Sequence, residues 1–300
     1  FHEREVRVEQ VMDSNDLERE RGITIYSKNC SVMYQDTKIN IVDTPGHADF
    51  SSEVERIINT VDTVILLVDA TDGPMPQTRV VLRKALKRGL KPLVMINKID
   101  KKDARLTEVV NECFDLFVEL GATDHQLDFH VLYGMAKQGK AGLNPNIEME
   151  DLTPLFDLII SHIGTYPDNS DEPLQLQVTS LAYDEYVGRL GIGRINRGTL
   201  NLTKQYKLMQ QEGKIKQVKL SGLYVNEGLK KAVVTEAYAG DIVIFSGIDD
   251  ISIGDTLVDP STLEAMAPLV IEKPTLQMLF LVNDGPFVGR SGKLVTSRQL

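Results

Sequence analysis

Two short motifs, each placed directly after an apolar run, restrict the folds open to this chain. Asp43-Thr44-Pro45-Gly46-His47 follows a run from Lys38 to Asp43, and Asn97-Lys98-Ile99-Asp100 follows a run from Pro92 to Asn97. Helical periodicity separates such runs, and this alternation predicts strand–helix units around a mainly parallel sheet. Ligands of such sheets bind outside the carboxyl ends of the strands, so both motifs are predicted to serve one site.

The predicted elements extend from Lys38 to about Gly164. Strands are predicted at Lys38 to Asp43, Val61 to Asp69, Pro92 to Asn97 and His130 to Met135. Helices are predicted at Phe50 to Thr60, Pro76 to Arg88, Leu106 to Leu120 and Leu152 to Ile163.

The second motif has the chemistry to select guanine. A carboxylate at Asp100 can accept from both the ring N–H and the exocyclic amine of guanine, whereas adenine presents an acceptor at the ring position. Asn97 can brace the loop and the base edge, and the aliphatic stem of Lys98 can cover the purine plane. A helix-initiating turn is the alternative interpretation of this tetrapeptide alone.

The first motif has the chemistry to meet phosphate and magnesium. Asp43 can reach Mg²⁺ through water, and the N–H of Gly46 can point at a γ-phosphate. His47 can hold the attacking water in line by a hydrogen bond, which makes it the candidate catalytic residue; a structural turn histidine is the alternative. The two motifs together therefore predict GTP or GDP with Mg²⁺ as the ligands.

An upstream segment, Arg21-Gly22-Ile23-Thr24-Ile25, has the position of a switch. The Thr24 hydroxyl can ligate Mg²⁺ when the γ-phosphate is present, and such segments order with GTP and loosen after hydrolysis. A surface turn entering a strand is the alternative.

The chain contains no Gly-x-x-x-x-Gly-Lys-[Ser/Thr] phosphate loop upstream of these motifs. The segment from Gly134 to Ala141 nearly spells one, but Ala141 replaces the hydroxyl for magnesium, and the segment follows the guanine motif instead of preceding the switch. We expect it to be the loop after the last nucleotide-facing strand, where the Ala136 N–H contacts the guanine carbonyl. We also expect hydrolysis by this chain alone to be impaired.

Turn-rich segments divide the chain. The polar stretch from Pro167 to Pro173 predicts a linker, and a second boundary is predicted near Ala267-Pro268. Residues 1–170 are thus predicted to form a P-loop-type α/β GTP-binding domain without its first strand, and 171–267 an all-β barrel. Residues 268–300, with a strand over Thr275 to Asn283, are predicted to begin an α+β domain.

Charge is distributed unevenly along a chain of net charge −10. Val187 to Lys219 holds eight basic residues against one acid, so this stretch could meet phosphate backbones. Arg189, Arg194 and Arg197 are the candidates for contact with RNA or protein; solvated strand faces are the alternative.

Other features exclude several classes of protein. Cys30 and Cys113 lack the spacing of a zinc site and favour a reduced cytoplasm over a disulfide scaffold. Neither is a credible nucleophile. The longest aliphatic run, from Val64 to Val68, is too short to cross a bilayer. We therefore expect a cytoplasmic protein, monomeric and not bound to membranes.

The motifs together resemble the translational GTPases and, more narrowly, the TypA/BipA family of ribosome-associated GTPases. The narrower resemblance extends over essentially the whole chain and is carried by Met12 to Glu20, Gly73 to Arg79, Gly188 to Gly198, Ala239 to Val243, Gly285 to Phe287 and Val295 to Arg298. Ser51-Ser52 stand where the family usually has glycines, and Met135 replaces the usual serine before Ala136.

The resemblance implies a function and a set of site residues. It implies GTP hydrolysis on the ribosome and roles in ribosome assembly, translation and stress adaptation, with this chain about the first half of a longer protein. It assigns Thr24 and Asp43 to Mg²⁺, Gly46 to the γ-phosphate and His47 to the catalytic water, and it assigns Asn97, Lys98 and Asp100 to guanine. A nucleotide-independent ribosome-docking module and another elongation-factor-like GTPase are the alternatives.

Overall fold

A four-stranded sheet forms the centre of the first part of the chain. The computed structural model describes residues 12, 16–46, 51–210, 213–269, 278–279, 281–282, 285–286 and 288–290. The sheet strands are β3 (Ile65–Asp69), β4 (Leu93–Asn97), β5 (Val131–Met135) and β6 (Lys140–Gly142). The helices are α1 (Asp16–Arg21), α2 (Ser51–Ile58), α3 (Pro76–Lys87), α4 (Leu106–Glu119), α5 (Asp124–Leu127) and α6 (Thr153–Ile163).

Parallel pairing brings the carboxyl ends of three strands together. β3 pairs with β4 and β4 with β5 in parallel, and β6 adds an antiparallel strand. In this register Asp69 is the partner of Asn97, and Asn97 is the partner of Gly134. The loops that follow β3, β4 and β5 therefore meet at one edge of the sheet.

Helices cover both faces of this sheet, because its strands carry apolar side chains on both sides. β4 is buried along almost its whole length, which is typical of a strand in a covered parallel sheet. On one face Val94 and Ile96 pack with Leu82 of α3 and Phe117 of α4. On the other face the cluster of Met95, Leu132 and Ala141 is covered by leucines of α6. The sheet is thus held rigidly between two layers.

An antiparallel hairpin of β1 (Lys28–Tyr34) and β2 (Thr37–Asp43) forms a separate two-stranded sheet. Its tip contacts α6, where the Tyr34 ring stacks on Phe156 with centroids 5.2 Å apart. The Tyr34 hydroxyl donates to Asp157 Oδ1 at 2.7 Å. The hairpin is therefore fixed to the sheet domain at its turn.

The β-rich part of the chain, called the barrel domain, consists of short antiparallel strands between Gln175 and Val258. They are β7 (Gln175–Asp184), β8 (Gly188–Arg197), β9 (Leu200–Asn201), β10 (Gln205–Met209), β11 (Ile215–Lys219), β12 (Gly222–Glu227), β13 (Lys230–Val233), β14 (Glu236–Ala237), β15 (Ile242–Ser246) and β16 (Thr256–Val258). Eight of them form one sheet in the order β11-β10-β16-β7-β8-β15-β12-β13, and β9 pairs with β14. One core serves the whole domain, with Tyr206, Phe245 and Leu257 among its fully buried side chains.

Polar contacts join the barrel domain to the first part of the chain. In the middle of β1 the Ser31 N–H donates to Gly228 O at 3.1 Å, and its hydroxyl donates to Asn226 O at 2.6 Å. Lys38 on β2 pairs with Asp241 at 2.9 Å. The hairpin is consequently anchored to both domains.

The predicted fold class is confirmed for the α/β part and the all-β part. The strand predicted from Val61 begins later, at Ile65, because the preceding residues have other partners: Thr63 Oγ1 donates to Lys91 O at 2.7 Å, and Asp62 pairs with Arg194. The sequence interpretation missed β1, β6, α1 and α5.

Domain boundaries stay predictions. Contacts divide the chain into units of Phe1–Val270 and Ile271–Leu300. Of the strand predicted over Thr275 to Asn283, only residues 278, 279, 281 and 282 are described, without regular secondary structure; the remainder lies outside the described residues.

Candidate nucleotide site

The loop after β4, called the base loop, is held by the side chain of Asn97, the last residue of that strand. Asn97 Oδ1 accepts from the Lys98 N–H at 2.9 Å and from the Ala136 N–H at 3.0 Å. Lys98 has a φ of 63°, an uncommon conformation for a residue other than glycine, asparagine or aspartate. The Asn97 amide thus joins the loop after β4 to the loop after β5 and stabilises a strained backbone position.

Asp69, at the end of β3, holds the lysines of the neighbouring loop. Its carboxylate accepts from Lys98 Nζ at 2.8 Å and from Lys101 Nζ at 3.1 Å, and it also accepts from the Thr71 N–H at 2.9 Å. Partial burial alone would raise the pKa of Asp69. The hydrogen bonds from Lys98, Thr71 and Lys101 outweigh burial and hold that pKa well below its ordinary range.

Asp100 projects from this loop beside an open cleft. Its side chain is exposed, and Gln138 Nε2 donates to Oδ2 at 3.5 Å. The cleft has a volume of about 420 Å³ and is lined by Ile99, Asp100, Met135, Lys140, Pro145, Asn146, Ile147, Glu148 and Met149. Asn97, Lys98 and Ala136 are not among the lining residues, so the exposed carboxylate of Asp100, and not the cleft, is the feature that can accept from the donor edge of a flat heterocycle.

The residues predicted to meet phosphate and magnesium lie at one end of the hairpin. Asp43 ends β2 and is the partner of Lys28, the first residue of β1, and Thr24 lies four residues before Lys28. A Cβ at Gly46 would meet nothing within 4 Å, so packing does not require glycine there. His47 lies outside the described residues.

Two carboxylates fix the backbone between Thr24 and β1. Fully buried Glu18 accepts from the N–H groups of Ile25 and Tyr26, each at 3.0 Å, and from Lys28 Nζ at 2.9 Å. Burial alone would raise the pKa of Glu18, but these hydrogen bonds lower it to about 2. Glu53 of α2 accepts from the Ser27 N–H at 3.1 Å. The position of Thr24 is therefore set by α1 and α2.

The Ala136 amide has an internal partner in the structure, and its contact with a guanine carbonyl stays a prediction. The N–H expected to contact a guanine carbonyl donates to Asn97 Oδ1. The reason is geometric, because the parallel register places the end of β5 beside Asn97. Ala136 therefore braces the base loop.

The three arginines predicted to contact the ribosome have internal partners. Buried Arg194 makes two hydrogen bonds to Asp62, at 2.8 and 2.9 Å, and its Cζ lies 4.1 Å from the centroid of the Tyr166 ring. Arg197 pairs with Glu264, and exposed Arg189 donates to Ile251 O at 3.1 Å. Arg194 in particular is a structural residue, because its charge is satisfied between the two domains.

Other chemistry finds little support in the described part of the chain. Burial raises the pKa of Cys113 to about 12 and also raises the pKa of Cys30, so both thiols stay protonated near neutral pH. Within the ranges that the structure describes, no three His, Cys, Asp or Glu side chains converge on a metal position. No helix among these residues is long and apolar enough to span a membrane.

Comparison with known families agrees with this geometry. Residues 1–165 match the model of the elongation factor Tu GTP binding domain, which is more than half of the chain. The chain belongs to that family. Residues 173–260 also match the model of elongation factor G domain 2, and this range contains strands β7 to β16.

Curated relatives confirm the narrower resemblance to TypA/BipA. A protein of Bacillus subtilis named large ribosomal subunit assembly factor BipA is 50% identical over 300 residues, covering 100% of this chain and 49% of the relative. A protein of the same name from Synechocystis is 52% identical over 290 residues, covering 97% of this chain and 49% of the relative. The chain thus spans about half the length of these relatives.

Solved structures of lower identity share the fold. The bacterial selenocysteine-specific elongation factor EF-Sec superposes with a TM-score of 0.65 at 22% identity, covering 84% of this chain and 41% of that chain. Elongation factor SelB of Methanococcus maripaludis, solved with the GTP analogue GPPNHP, superposes with a TM-score of 0.63 at 22% identity. The match covers 80% of this chain and 50% of that chain.

Sequence reasoning missed Asp69, Glu18 and Glu53. For Asp69 the sequence contained a signal. Asp69 ends the predicted strand before the one that ends at Asn97, and in a parallel sheet the ends of these two strands lie side by side, so its carboxylate lies near Lys98. For Glu18 and Glu53 the signal was weak, since both lie among other charged residues in helical segments.

Proposed function

We propose that this protein is a ribosome-binding translational GTPase that binds GTP and GDP with Mg²⁺ and acts in assembly of the large ribosomal subunit. The observation that carries the nucleotide assignment is the braced loop at the sheet edge. Asn97 and Asp69 hold its backbone and lysines, and Asp100 remains exposed.

For the base, Asp100 has the chemistry that selects guanine. Its two carboxylate oxygens accept from the ring N–H and the exocyclic amine, and adenine lacks this pair of donors. Lys98 is held at its ammonium by Asp69, so its aliphatic stem is available to cover the purine. Asn97 and Ala136 keep the loop in position.

For the phosphates, Thr24, Asp43 and Gly46 supply the groups that the sequence predicts. A hydroxyl and one carboxylate suit Mg²⁺, which keeps several waters and takes its other ligands from nucleotide phosphates. Bound Mg²⁺ would neutralise charge on the phosphates.

For hydrolysis, we assign His47 to orientation of the attacking water. Its position directly after Gly46 in the motif supports this role. In the complete, longer protein, replacement of His47 by alanine should lower ribosome-stimulated GTP hydrolysis by about 10²-fold or more and leave GTP affinity unchanged. Unchanged turnover would remove His47 from this role.

For the partner, the names of the relatives support the large ribosomal subunit. The two curated proteins at about 50% identity are both large ribosomal subunit assembly factors. We propose that this protein contacts ribosomal RNA and protein through its barrel domain, acts in the cytoplasm and is monomeric. Sedimentation with purified large subunits tests the first point directly.

Nucleotide titration tests the central assignment. Fluorescent GDP and GTP should bind with Mg²⁺ and resist competition by ATP. Asp100→Asn should shift preference toward xanthosine triphosphate, because an amide can donate to the additional carbonyl. Retention of full GTP selectivity by that variant would refute the role of Asp100. Absence of nucleotide binding together with binding to ribosomes would favour a docking module.

A further inference from the structure

A basic segment of the chain forms a two-stranded ribbon on the barrel domain. Residues 204–219 contain five lysines and one acid, in a protein of net charge −10. Strands β10 and β11 within this segment pair in an antiparallel register. β11 is the terminal strand of the eight-stranded sheet, so the ribbon lies at the sheet margin.

Alternation of side chains gives the ribbon an inner and an outer face. Tyr206 and Leu208 are buried in the core, so their neighbours in β10 point outward. The register pairs Gln205 with Lys219, Lys207 with Gln217 and Met209 with Ile215. Gln217 donates to Gln205, which places both amides on the outer face. This outer face therefore contains two lysines, two glutamines and two apolar side chains.

The charge on this outer face is not neutralised within the described residues. Lys207 and Lys219 have no ion-pair partner there, and the outer face contains no carboxylate. Lys216, on the other side of β11, pairs with Asp250. Arg194 and Arg197 are likewise held by carboxylates. Within the basic segment recognised in the sequence, Arg194, Arg197 and Lys216 are thus paired with carboxylates, and Lys207 and Lys219 are the two lysines of the outer face.

We propose that the outer face of the β10–β11 ribbon binds the phosphate backbone of ribosomal RNA. The proposal rests on the proposed function, in which this protein binds the ribosome. Ammonium groups supply the sequence-independent attraction to phosphate, and the amides of Gln205 and Gln217 can donate to phosphate or sugar oxygens. A surface without carboxylates avoids repulsion from the same backbone.

Co-sedimentation with purified large ribosomal subunits over a range of salt concentrations tests this surface. The wild-type chain is compared with a Lys207→Gln, Lys219→Gln double variant. A matched control is Lys87→Gln with Arg88→Gln, which removes two exposed cations at the end of α3 in the other domain. Equal urea unfolding midpoints for the three proteins establish that the comparison concerns folded chains.

The expected result is a loss of affinity of about tenfold or more at low salt for the double variant alone. The slope of log affinity against log salt should become shallower by about 1.4 to 1.8, as expected for two lost phosphate contacts. Equal binding by all three proteins would overturn the ribbon assignment and leave ribosome binding intact. Weaker binding with an unchanged slope would also overturn it, since it would indicate a protein contact. Absence of binding by the wild-type chain would overturn the proposed ribosome binding as well.

Discussion

Asp69 is the residue that links the strands of the sheet to the charge of the base loop. Its side chain is only 14% exposed, whereas that of Lys98 is 56% exposed, so a largely enclosed carboxylate holds an exposed lysine. A mobile ammonium on a four-carbon stem loses substantial side-chain entropy when it is ordered. Because Asp69 already orders the Lys98 side chain, a bound ligand has less entropy to remove from it.

Replacement of Asp69 by asparagine should weaken GDP binding by roughly fivefold, equivalent to about 1 kcal/mol, because Lys98 and Lys101 lose their charged partner. Titration with fluorescent GDP measures the change. Asp72→Asn is the matched control, since this exposed carboxylate lies three residues away and makes no hydrogen bond to either lysine. Equal affinity for the Asp69 and Asp72 variants would show that the lysines need no anchor.

Glu18 gives the switch segment a dependence on pH. Its folded pKa of about 2 lies below the ordinary value of 4.5, so its stabilisation is complete above pH 4.5 and decreases as pH falls toward 2. The shift corresponds to roughly 3 kcal/mol. Glu18→Gln should therefore lower the free energy of unfolding by a few kcal/mol at pH 7 and by less than half as much at pH 3. Urea unfolding at both values measures this difference, and an equal loss at both would contradict it.

At the scale of elements, the pairing of β7 and β8 requires close backbone approach. A Cβ at Gly193 would lie 2.1 Å from Gln177 O, a backbone atom of the neighbouring strand. The register of these strands shifts between Val178 and Ser180, beside this contact. A methyl group could be accommodated only by displacement of β7, which also pairs with β16.

Gly193→Ala should consequently lower the free energy of unfolding of the barrel domain by about 2 to 4 kcal/mol. Gly89→Ala provides the comparison, because a Cβ there meets nothing within 4 Å although its φ is 82°. The free energy of unfolding of that variant should fall by only about 1 kcal/mol, which is the cost of placing alanine in a left-handed conformation. Thermal unfolding of both variants measures the two losses of stability. Equal losses would mean that β7 can move away from an alanine at position 193 at little cost.

The elements predictable from sequence were those with a strong periodic signal. β4 and α4 are continuous apolar or striped segments, and their bounds differ from prediction by one residue at most. The β1–β2 hairpin was missed in part because its turn uses Gln35 at a φ of 51° in place of glycine or asparagine. Its pairing is stabilised by contacts distant in sequence, such as Tyr34 with Phe156, which local patterns do not encode.

The residues of the candidate site were likewise predictable where one local motif contains them, and not where their partners are distant in sequence. Asn97, Lys98 and Asp100 were predictable because one short motif contains them. Arg194 was misjudged because a basic residue in a strand looks the same in sequence whether it faces solvent or a partner domain. Only the fold shows that Asp62, 132 residues away, neutralises it.

At the scale of the whole molecule, Arg194 joins the two domains. It contacts Asp62, Thr60 O and the Tyr166 ring from the barrel side, so a single guanidinium satisfies three groups. Nη2 donates to both carboxylate oxygens of Asp62 while Nη1 donates to Thr60 O, and the single nitrogen of a lysine cannot reproduce this planar arrangement of two donors. This contact therefore depends on arginine, and not on positive charge alone.

A double-mutant cycle of Arg194→Gln with Asp62→Asn should give a coupling energy of about 1 to 3 kcal/mol in urea unfolding. Arg194→Lys should recover less than half of the loss, because its ammonium has one point of contact. Additive effects of the two substitutions would show that the domains associate without this pair. Limited proteolysis between residues 163 and 173 provides a second measurement of domain separation.

The bond from the Ser31 N–H to Gly228 O gives the molecule a built-in spectroscopic reporter. This amide proton belongs to β1 but is shielded by the barrel domain, and its distance to Gly228 O is 3.1 Å. Its rate of exchange with deuterium should therefore record separation of the hairpin from the barrel, independently of unfolding of either part. A single resonance, followed with and without nucleotide, would report how often the two domains part.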